Sequence, residues 1–198
     1  MKKQLIANIL ILIASFTGIL IAFIFDGYFN LKYYTNWSNL LALVSSILFI
    51  INYLLKDKIN YVLKFFKINT ALMLTVTLLI VLFVLIPTYD WNVSFFLLKR
   101  QASFVHFIVP VLNVLVFIFV EKYNYNKKEK IWMSLSISLI YIILISILIL
   151  TKTVTPPYNF LDYYHESIIF TIIVIFVIIL MLIGFSFLYT SERIKKLD

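Results

Sequence analysis

The sequence predicts an all-α integral membrane protein whose single domain, residues 1–198, contains six transmembrane helices and has both termini in the cytoplasm. Of its residues 63% are hydrophobic, and the mean hydropathy is +1.04. Polar residues collect in short clusters between apolar runs, each long enough to supply the ~20 residues that a helix needs to cross a membrane. A membrane β-barrel would instead have segments of about ten residues with alternating polarity, which the sequence lacks.

Six apolar runs define the predicted spans. The first run follows Met1-Lys2-Lys3 and is too long for the hydrophobic region of a signal peptide, so we expect an uncleaved first span. No stretch between the runs is long enough for a separate soluble domain. The predicted spans cover about 5–25, 37–55, 68–86, 103–120, 131–150 and 168–189.

The basic residues indicate how the chain is oriented. All but four of its 17 Lys and Arg residues fall in the N-terminus, the loops 56–67 and 121–130, and the C-terminal tail. This asymmetry over short loops places those segments in the cytoplasm. The net charge of +8 therefore reports topology, and nucleic acid is not an expected partner. We expect the lysine-rich inner loops to be ordinary solvated connections, with no charged residue near the middle of a span.

The opposite side is chemically richer. Its three loops contain Asp26, Asp90 and Asp162 and many aromatic residues, which commonly anchor membrane proteins at the level of the lipid headgroups. The chain has no cysteine, which excludes disulfides, thiol chemistry and a Cys-based zinc site. We expect no cofactor and no metal. The bias toward Ile, Phe, Lys, Asn and Tyr suits an AT-rich bacterial genome, so the expected location is a bacterial plasma membrane.

Residues 33–41, YYTNWSNLL, mark the start of the second predicted span. Thr35, Asn36, Ser38 and Asn39 are residue types that cap helix N-termini, because their side-chain oxygens accept hydrogen bonds from amides without a partner. The same hydroxyl and carboxamide groups could instead form one wall of a reactive site. Both interpretations stay open from the sequence.

His106 lies six residues after Arg100 and therefore ~9 Å into the fourth span. An ionisable group inside a span is a candidate functional residue, because its desolvation is costly. Pro110 has no N–H to donate to the His106 carbonyl, so a kink is expected there. Asn113 falls on the same helical face as His106. The alternative is a neutral histidine bonded to a neighbouring helix.

Topology relates these two segments. The second and fourth spans both start on the outer side, so Thr35 and His106 are predicted to lie at similar depth. A hydroxyl and an imidazole at one level are the parts of an activated nucleophile.

The third outer loop contains further polar candidates, among them Tyr158. Asp162 could orient His106 and complete a triad. A weaker alternative is a metal site formed by Asp162, His165 and Glu166 with His106, although the sequence has no HExxH spacing. The simplest interpretation of this loop is an exposed segment at the membrane interface.

Three stretches resemble the androgen-induced protein family, also called FAR-17a-like, and in particular its bacterial branch. They are KYYTNWSNLL, VHFIVP and PPYNFLDYY, and their order and spacing extend the resemblance over nearly the whole chain. The resemblance implies six spans and a threonine hydrolase that cleaves fatty acid esters of hydroxy fatty acids. Thr35 would be the reactive threonine and His106 its histidine.

The resulting hypothesis is an intramembrane hydrolase acting on a lipid ester near the outer leaflet, in contact with membrane lipids. Asn36, Ser38, Asn39, Asn113, Tyr158 and Asp162 are the predicted supporting residues. One alternative is a carrier or channel without enzymatic activity, with polar residues of the first, third and fifth spans along its path. These are Asn8, Asn69, Thr75, Ser134 and Ser138. The other alternative is a structural membrane protein with no such site.

Overall fold

The computed structural model describes residues 2–26, 30–88, 90–121, 123 and 125–157, with residues 175, 178, 179, 181, 182, 186 and 189 of the C-terminal segment. Within these ranges the chain is helical and contains no strand. The elements are α1 (Lys2–Asp26), α2 (Tyr34–Leu54), α3 (Asn60–Ile80), a π-helical segment π1 (Val81–Leu85), α4 (Ile86–Thr88), α5 (Val93–Leu98), α6 (Arg100–Ser103), a second segment π2 (Phe104–Ile108), α7 (Val109–Phe119) and α8 (Lys127–Leu150).

Five of these helical stretches are long and apolar enough to cross a membrane. They are Lys2–Phe25, Tyr34–Leu54, Asn60–Leu85, Gln101–Phe119 and Trp132–Leu150. They confirm five of the predicted helices, whereas most of the sixth, 168–189, lies outside the described residues. The third helix begins at Asn60 rather than near residue 68, so the inner loop before it is shorter than predicted.

The third long helix is the centre of the bundle. It packs against α2, α7 and α8. In its most apolar 18-residue stretch, 72% is buried. One apolar cluster joins it to α2 and α8 through residues such as Leu72 and Tyr141. A second cluster joins it to α1 and α7 through residues such as Leu74, Ile11 and Val109. The helices α2, α7 and α8 are therefore held by their contacts with this central one, whereas α1 packs mainly on α2 and on the segment formed by α6, π2 and α7.

The peripheral helices expose apolar side chains over much of their length. Ile13 and Phe23 of α1 and Ile143 and Ile147 of α8 are each more than half exposed. Contiguous apolar surface of this kind is costly in water and indicates a surface that faces lipid or another protein. Together with the five long apolar helices, it indicates a protein embedded in a membrane.

Two prolines account for the two π-helical segments. A proline in a helix lacks the N–H that would bond to the carbonyl four residues earlier, and its ring clashes with that carbonyl. Pro87 follows Phe83, the central residue of π1, by four positions, and Pro110 follows His106, the central residue of π2, in the same way. The widened π turn accommodates the ring, and such turns are frequent at functional sites.

A glycine lets the first helix approach π2 closely. A Cβ atom added to Gly18 would come within 3.0 Å of the Phe104 Cβ. Small residues at such crossings allow helix backbones to come together in membranes. The position of π2 against α1 therefore depends on the absence of a side chain at residue 18.

Polar side chains determine the two turns that precede α3 and α8. Asn52, near the end of α2, donates to the Asp57 carboxylate (2.9 Å) and accepts from the Ile59 amide (3.0 Å). This closes a turn in which Lys56 and Asp57 have positive φ angles of 53° and 66°. At the start of α8, Asn126 and Glu129 form a reciprocal capping box, which satisfies amides that the helix itself leaves without partners.

Candidate active site where the starts of α2 and π2 meet

The start of α2 differs from the predicted cap. The N-cap residue is Tyr33, which makes no side-chain cap hydrogen bond. The capping interpretation of Thr35, Asn36, Ser38 and Asn39 is therefore wrong, because all four lie inside the helix. Asn36 instead donates to the Asn30 carbonyl (2.7 Å) and holds the preceding loop against the helix.

The Thr35 backbone is the centre of a buried polar cluster. The Ser38 hydroxyl donates to the Thr35 carbonyl (2.8 Å) and lies 2.9 Å from the Thr77 hydroxyl of α3. The Asn39 carboxamide donates to the same Thr35 carbonyl (2.7 Å). Thr35, Ser38 and Asn39 are all buried. These bonds fix the first turn of α2 against the central helix.

Asn39 also joins the Thr35 segment to the His106 segment. Its side-chain nitrogen donates a second hydrogen bond to the Val105 carbonyl in π2 (2.9 Å). One amide group therefore binds the carbonyls of Thr35 and of the residue before His106. The structure places the two segments in direct contact at the same level of the bundle.

The His106 ring lies in an aromatic environment. It packs edge-on against Phe96 of α5, with ring centroids 5.7 Å apart. Its Nδ1 atom is buried and has no hydrogen-bond partner among the described residues, and the same is true of Asn39 Oδ1. No hydrogen bond links the His106 ring to the Thr35 hydroxyl within the described contacts. Buried polar atoms normally have partners, so these two atoms, which flank the contact between α2 and π2, are candidates to bind a ligand.

An aromatic group anchors the start of α2 to α8. Tyr34 packs against Tyr141 with ring centroids 5.2 Å apart, and Trp37 lies 6.1 Å from the same ring. The Tyr34 hydroxyl lies 3.0 Å from that of Ser138, and the Tyr141 hydroxyl donates to the Lys32 carbonyl (2.7 Å). These contacts limit the movement of the turn that carries Thr35.

The other predicted site residues are only partly placed. Asn113 is buried on α7, seven residues after His106. Tyr158 and Asp162 lie outside the described residues, as do His165 and Glu166, so the triad and metal hypotheses stay predictions.

The five residues predicted for a carrier path are all buried. Several make contacts within or between helices. Asn69 accepts from the Ile137 amide of α8 (3.2 Å), and Thr75 donates to the Ala71 carbonyl of its own helix (2.7 Å). These two residues therefore contribute to helix packing.

A buried ion pair between the predicted loops 56–67 and 121–130 contradicts the prediction that these loops are solvated connections. Lys67 and Glu121 have side-chain exposures of 1% and 2%, and Lys67 Nζ lies 2.6 Å from Glu121 Oε1. Lys67 also donates to Asn8 Oδ1, while Asn8 Nδ2 lies 3.3 Å from Glu121 Oε1.

The position of Lys67 could have been recognised from helical spacing. It lies four residues after Leu63 and four before Ala71, both buried, so it shares their face. The prediction failed because the lysines before residue 68 were assigned to a loop.

No protein-family model, no curated protein and no solved structure matches this chain. The resemblance to the androgen-induced protein family therefore stays a prediction.

Proposed function

We propose that this chain is an intramembrane hydrolase that cleaves a lipid ester with Thr35 as nucleophile and His106 as general base. The observation that carries the proposal is the Asn39 side chain, which binds both the Thr35 carbonyl and the Val105 carbonyl (2.7 and 2.9 Å). It holds the hydroxyl-bearing turn beside the histidine-bearing turn. A nucleophile and its base must come within hydrogen-bond reach of each other, and that hydrogen bond often forms fully only when substrate is bound.

The proposed reaction has two steps. His106 takes the proton of the Thr35 hydroxyl, and the oxygen attacks the ester carbonyl carbon. The alcohol leaves with that proton and an acyl group remains on Thr35. Water, deprotonated by the same imidazole, then attacks the acyl carbonyl, which releases the fatty acid and regenerates the threonine hydroxyl. A ring nitrogen without another partner suits this role, because its lone pair is not committed to a protein donor.

The negative charge that develops on the ester oxygen requires fixed donors. Both hydrogens of the Asn39 carboxamide already bond to carbonyls, so Asn39 is better placed as a positioning residue than as an oxyanion donor. The Thr35 amide lies in the first turn of α2, where N–H groups have no partner within the helix. We assign the oxyanion contact to that amide.

The substrate class follows from the surroundings. The cluster is at the end of the bundle that we propose to face the outer leaflet, with both termini inside the cell. A lipid ester could place its carbonyl at this level while its acyl chains remain among the exposed apolar side chains of the helices. A fatty acid ester of a hydroxy fatty acid fits this description, as do other neutral lipid esters.

Turnover of a fluorogenic fatty acid ester by the purified chain tests the proposal. Thr35→Ala should abolish turnover, and Thr35→Ser should retain part of it because a hydroxyl remains. His106→Ala should lower turnover about 100-fold or more, the usual effect of losing a general base. Thr75→Ala is the matched control, since among the described residues that buried hydroxyl bonds to a carbonyl of its own helix. Equal loss in Thr75→Ala and Thr35→Ala would contradict the proposal.

A carrier is the second candidate, favoured by the buried Lys67–Glu121 pair. Charged groups inside a membrane bundle often mark a transport path. A flux assay in liposomes distinguishes the two functions, because a carrier moves solute without requiring Thr35 or His106.

A further inference from the structure

The inner end of the bundle contains a small cleft, distinct from the Thr35–His106 region. Its volume is about 200 Å³, and it lies between the inner ends of α1, α2 and α3 and the segment after α7. From Thr35 to Asn52 the second helix rises ~25 Å, so this cleft is at the opposite end from the proposed active site. It is smaller than the pockets that hold drug-sized ligands, and its size suits a small molecule or a single headgroup.

Three aromatic rings line the cleft, those of Phe49, Tyr53 and Tyr123. One face of the Phe49 ring already accepts a cation, since the Lys67 ammonium lies 5.6 Å from its centroid, so Tyr53 and Tyr123 offer the rings that no described cation occupies. Aromatic rings attract ammonium ions through their quadrupoles. The lining therefore has the composition of an ammonium-binding cage.

The charge of the cleft is also suited to a cation. Among the described lining residues, Asp57 is the one ionised side chain. Burial, together with the carboxylates of Glu121 and Asp57, raises the pKa of the Tyr123 hydroxyl far above its usual value. Both carboxylates therefore act on the space around Tyr123. Glu121 is paired with Lys67, whereas the exposed Asp57 carboxylate accepts a hydrogen bond from the uncharged Asn52 carboxamide, so Asp57 is the carboxylate that a cationic ligand could pair with.

The remaining polar groups do not favour a metal ion. The Asn52 oxygen accepts from the Ile59 amide, and its nitrogen donates to Asp57 and to Asn60 Oδ1 (3.3 Å). Hard metal ions need about six oxygen ligands, and two of the carboxamide oxygens here are occupied. The described residues contain no group of three metal-binding side chains.

We propose that this inner cleft binds a small organic cation, a primary or quaternary ammonium, with Asp57 as its counter-ion and Phe49, Tyr53 and Tyr123 as its cage. The ammonium could belong to a soluble amine or to the headgroup of an ethanolamine or choline lipid. The site is independent of the proposed hydrolysis.

Thermal unfolding of the full chain in nonionic detergent tests this proposal, with tetramethylammonium chloride as the probe and sodium chloride at equal concentration as reference. The wild type should show a saturable rise in melting temperature with tetramethylammonium only. Asp57→Asn keeps the oxygen that accepts from Asn52 but removes the charge, and should weaken the apparent affinity about tenfold or more. Tyr53→Leu should also weaken the apparent affinity. This second variant tests the site even if Asp57→Asn folds poorly. Asp90→Asn, an exposed residue at the other end, should have no effect.

Two results would overturn the proposal: equal responses of the wild type to the two salts, or the same apparent affinity in wild type and Asp57→Asn. Nanodiscs distinguish the sources of the ammonium. A response that persists in phosphatidylglycerol but is lost in phosphatidylcholine assigns the site to a lipid headgroup, since the headgroup then competes with the probe. A response that persists in both assigns it to a soluble amine.

Discussion

Lys67 is a buried cation whose charge is balanced by one carboxylate and two weaker contacts. The ammonium contacts Glu121, Asn8 and the Phe49 ring. Removing two charges from water costs several kcal/mol per ion, and the mutual attraction repays it only when geometry and additional hydrogen bonds are good. The pair joins α1, α3 and the end of α7, which explains how these inner ends are held together.

This account predicts the effect of breaking the pair. Lys67→Met should lower the free energy of unfolding by ~3–5 kcal/mol, because Glu121 would stay buried without a partner. Lys67→Met combined with Glu121→Gln should recover most of that loss. Lys64→Met is the matched control, since its 3.2 Å pair with Glu129 is about one-fifth exposed and should contribute ~0–1 kcal/mol. Equal losses for Lys67→Met and Lys64→Met in denaturant titrations would contradict this.

The candidate active site shows how far single residues could be assigned from sequence. Thr35 and His106 were predicted to lie at one depth because the second and fourth spans share a starting side. Asn39, by contrast, is one of several polar residues in its turn, and only the fold shows that its side chain reaches the Val105 carbonyl. Contacts between distant segments depend on helix rotation, which composition does not specify.

At the level of elements, Pro110 predicted where a helix is distorted but not the form of the distortion. From Pro110 we expected a kink near His106 that leaves a carbonyl free. The structure instead has a π turn centred on His106. A proline removes one hydrogen bond, and the neighbouring packing decides whether the helix bends or widens. Here Gly18 gives π2 room against α1. Pro87 has the same relation to π1.

The start of α8 provides a pH-dependent prediction. The Asn126 amide donates to the Glu129 carboxylate (2.9 Å), and this bond, with a smaller contribution from Lys64, holds the pKa of Glu129 below its usual 4.5. A carboxyl with a lowered pKa in the fold stabilises it at neutral pH, and that stabilisation is lost as the pH falls below 4.5.

Glu129→Gln tests this contribution. The variant should melt at a lower temperature than wild type at neutral pH, and the difference should narrow as the pH falls below 4.5 and the wild-type carboxyl takes up its proton. Asn126→Ala, which removes the other half of the capping box, should cost ~1 kcal/mol. A Glu129→Gln difference that does not change with pH would contradict the role of the ionised carboxylate.

For the whole molecule, apolar run length predicted five described helices with ends accurate to a few residues, except at the start of α3. That helix begins at Asn60. The segment before Ile68 was assigned to a polar loop because of its lysines, although Leu63, Phe65 and Phe66 lie between them. Hydropathy windows average such residues together, whereas a helix buries one face and exposes the other. The sequence patterns did not predict which helices pack around the central one.

Membrane orientation can be measured directly because the chain has no cysteine. Lys58 and Asp90 are exposed residues that flank the central span on opposite ends. An impermeant maleimide should label Asp90→Cys in intact cells and should label Lys58→Cys only after permeabilisation, since lysine-rich loops stay in the cytoplasm. The reverse pattern would place the Thr35–His106 region on the inner side.

The most direct measurement for the central claim is the site of covalent modification by a fluorophosphonate. After reaction and digestion of the purified chain, mass spectrometry should locate the adduct on Thr35, and the His106→Ala protein should carry it only at background level. Ser38, whose hydroxyl is buried between the Thr35 carbonyl and Thr77, should stay unmodified. An unmodified Thr35, or equal labelling of wild type and Thr35→Ala, would contradict the assignment of the nucleophile.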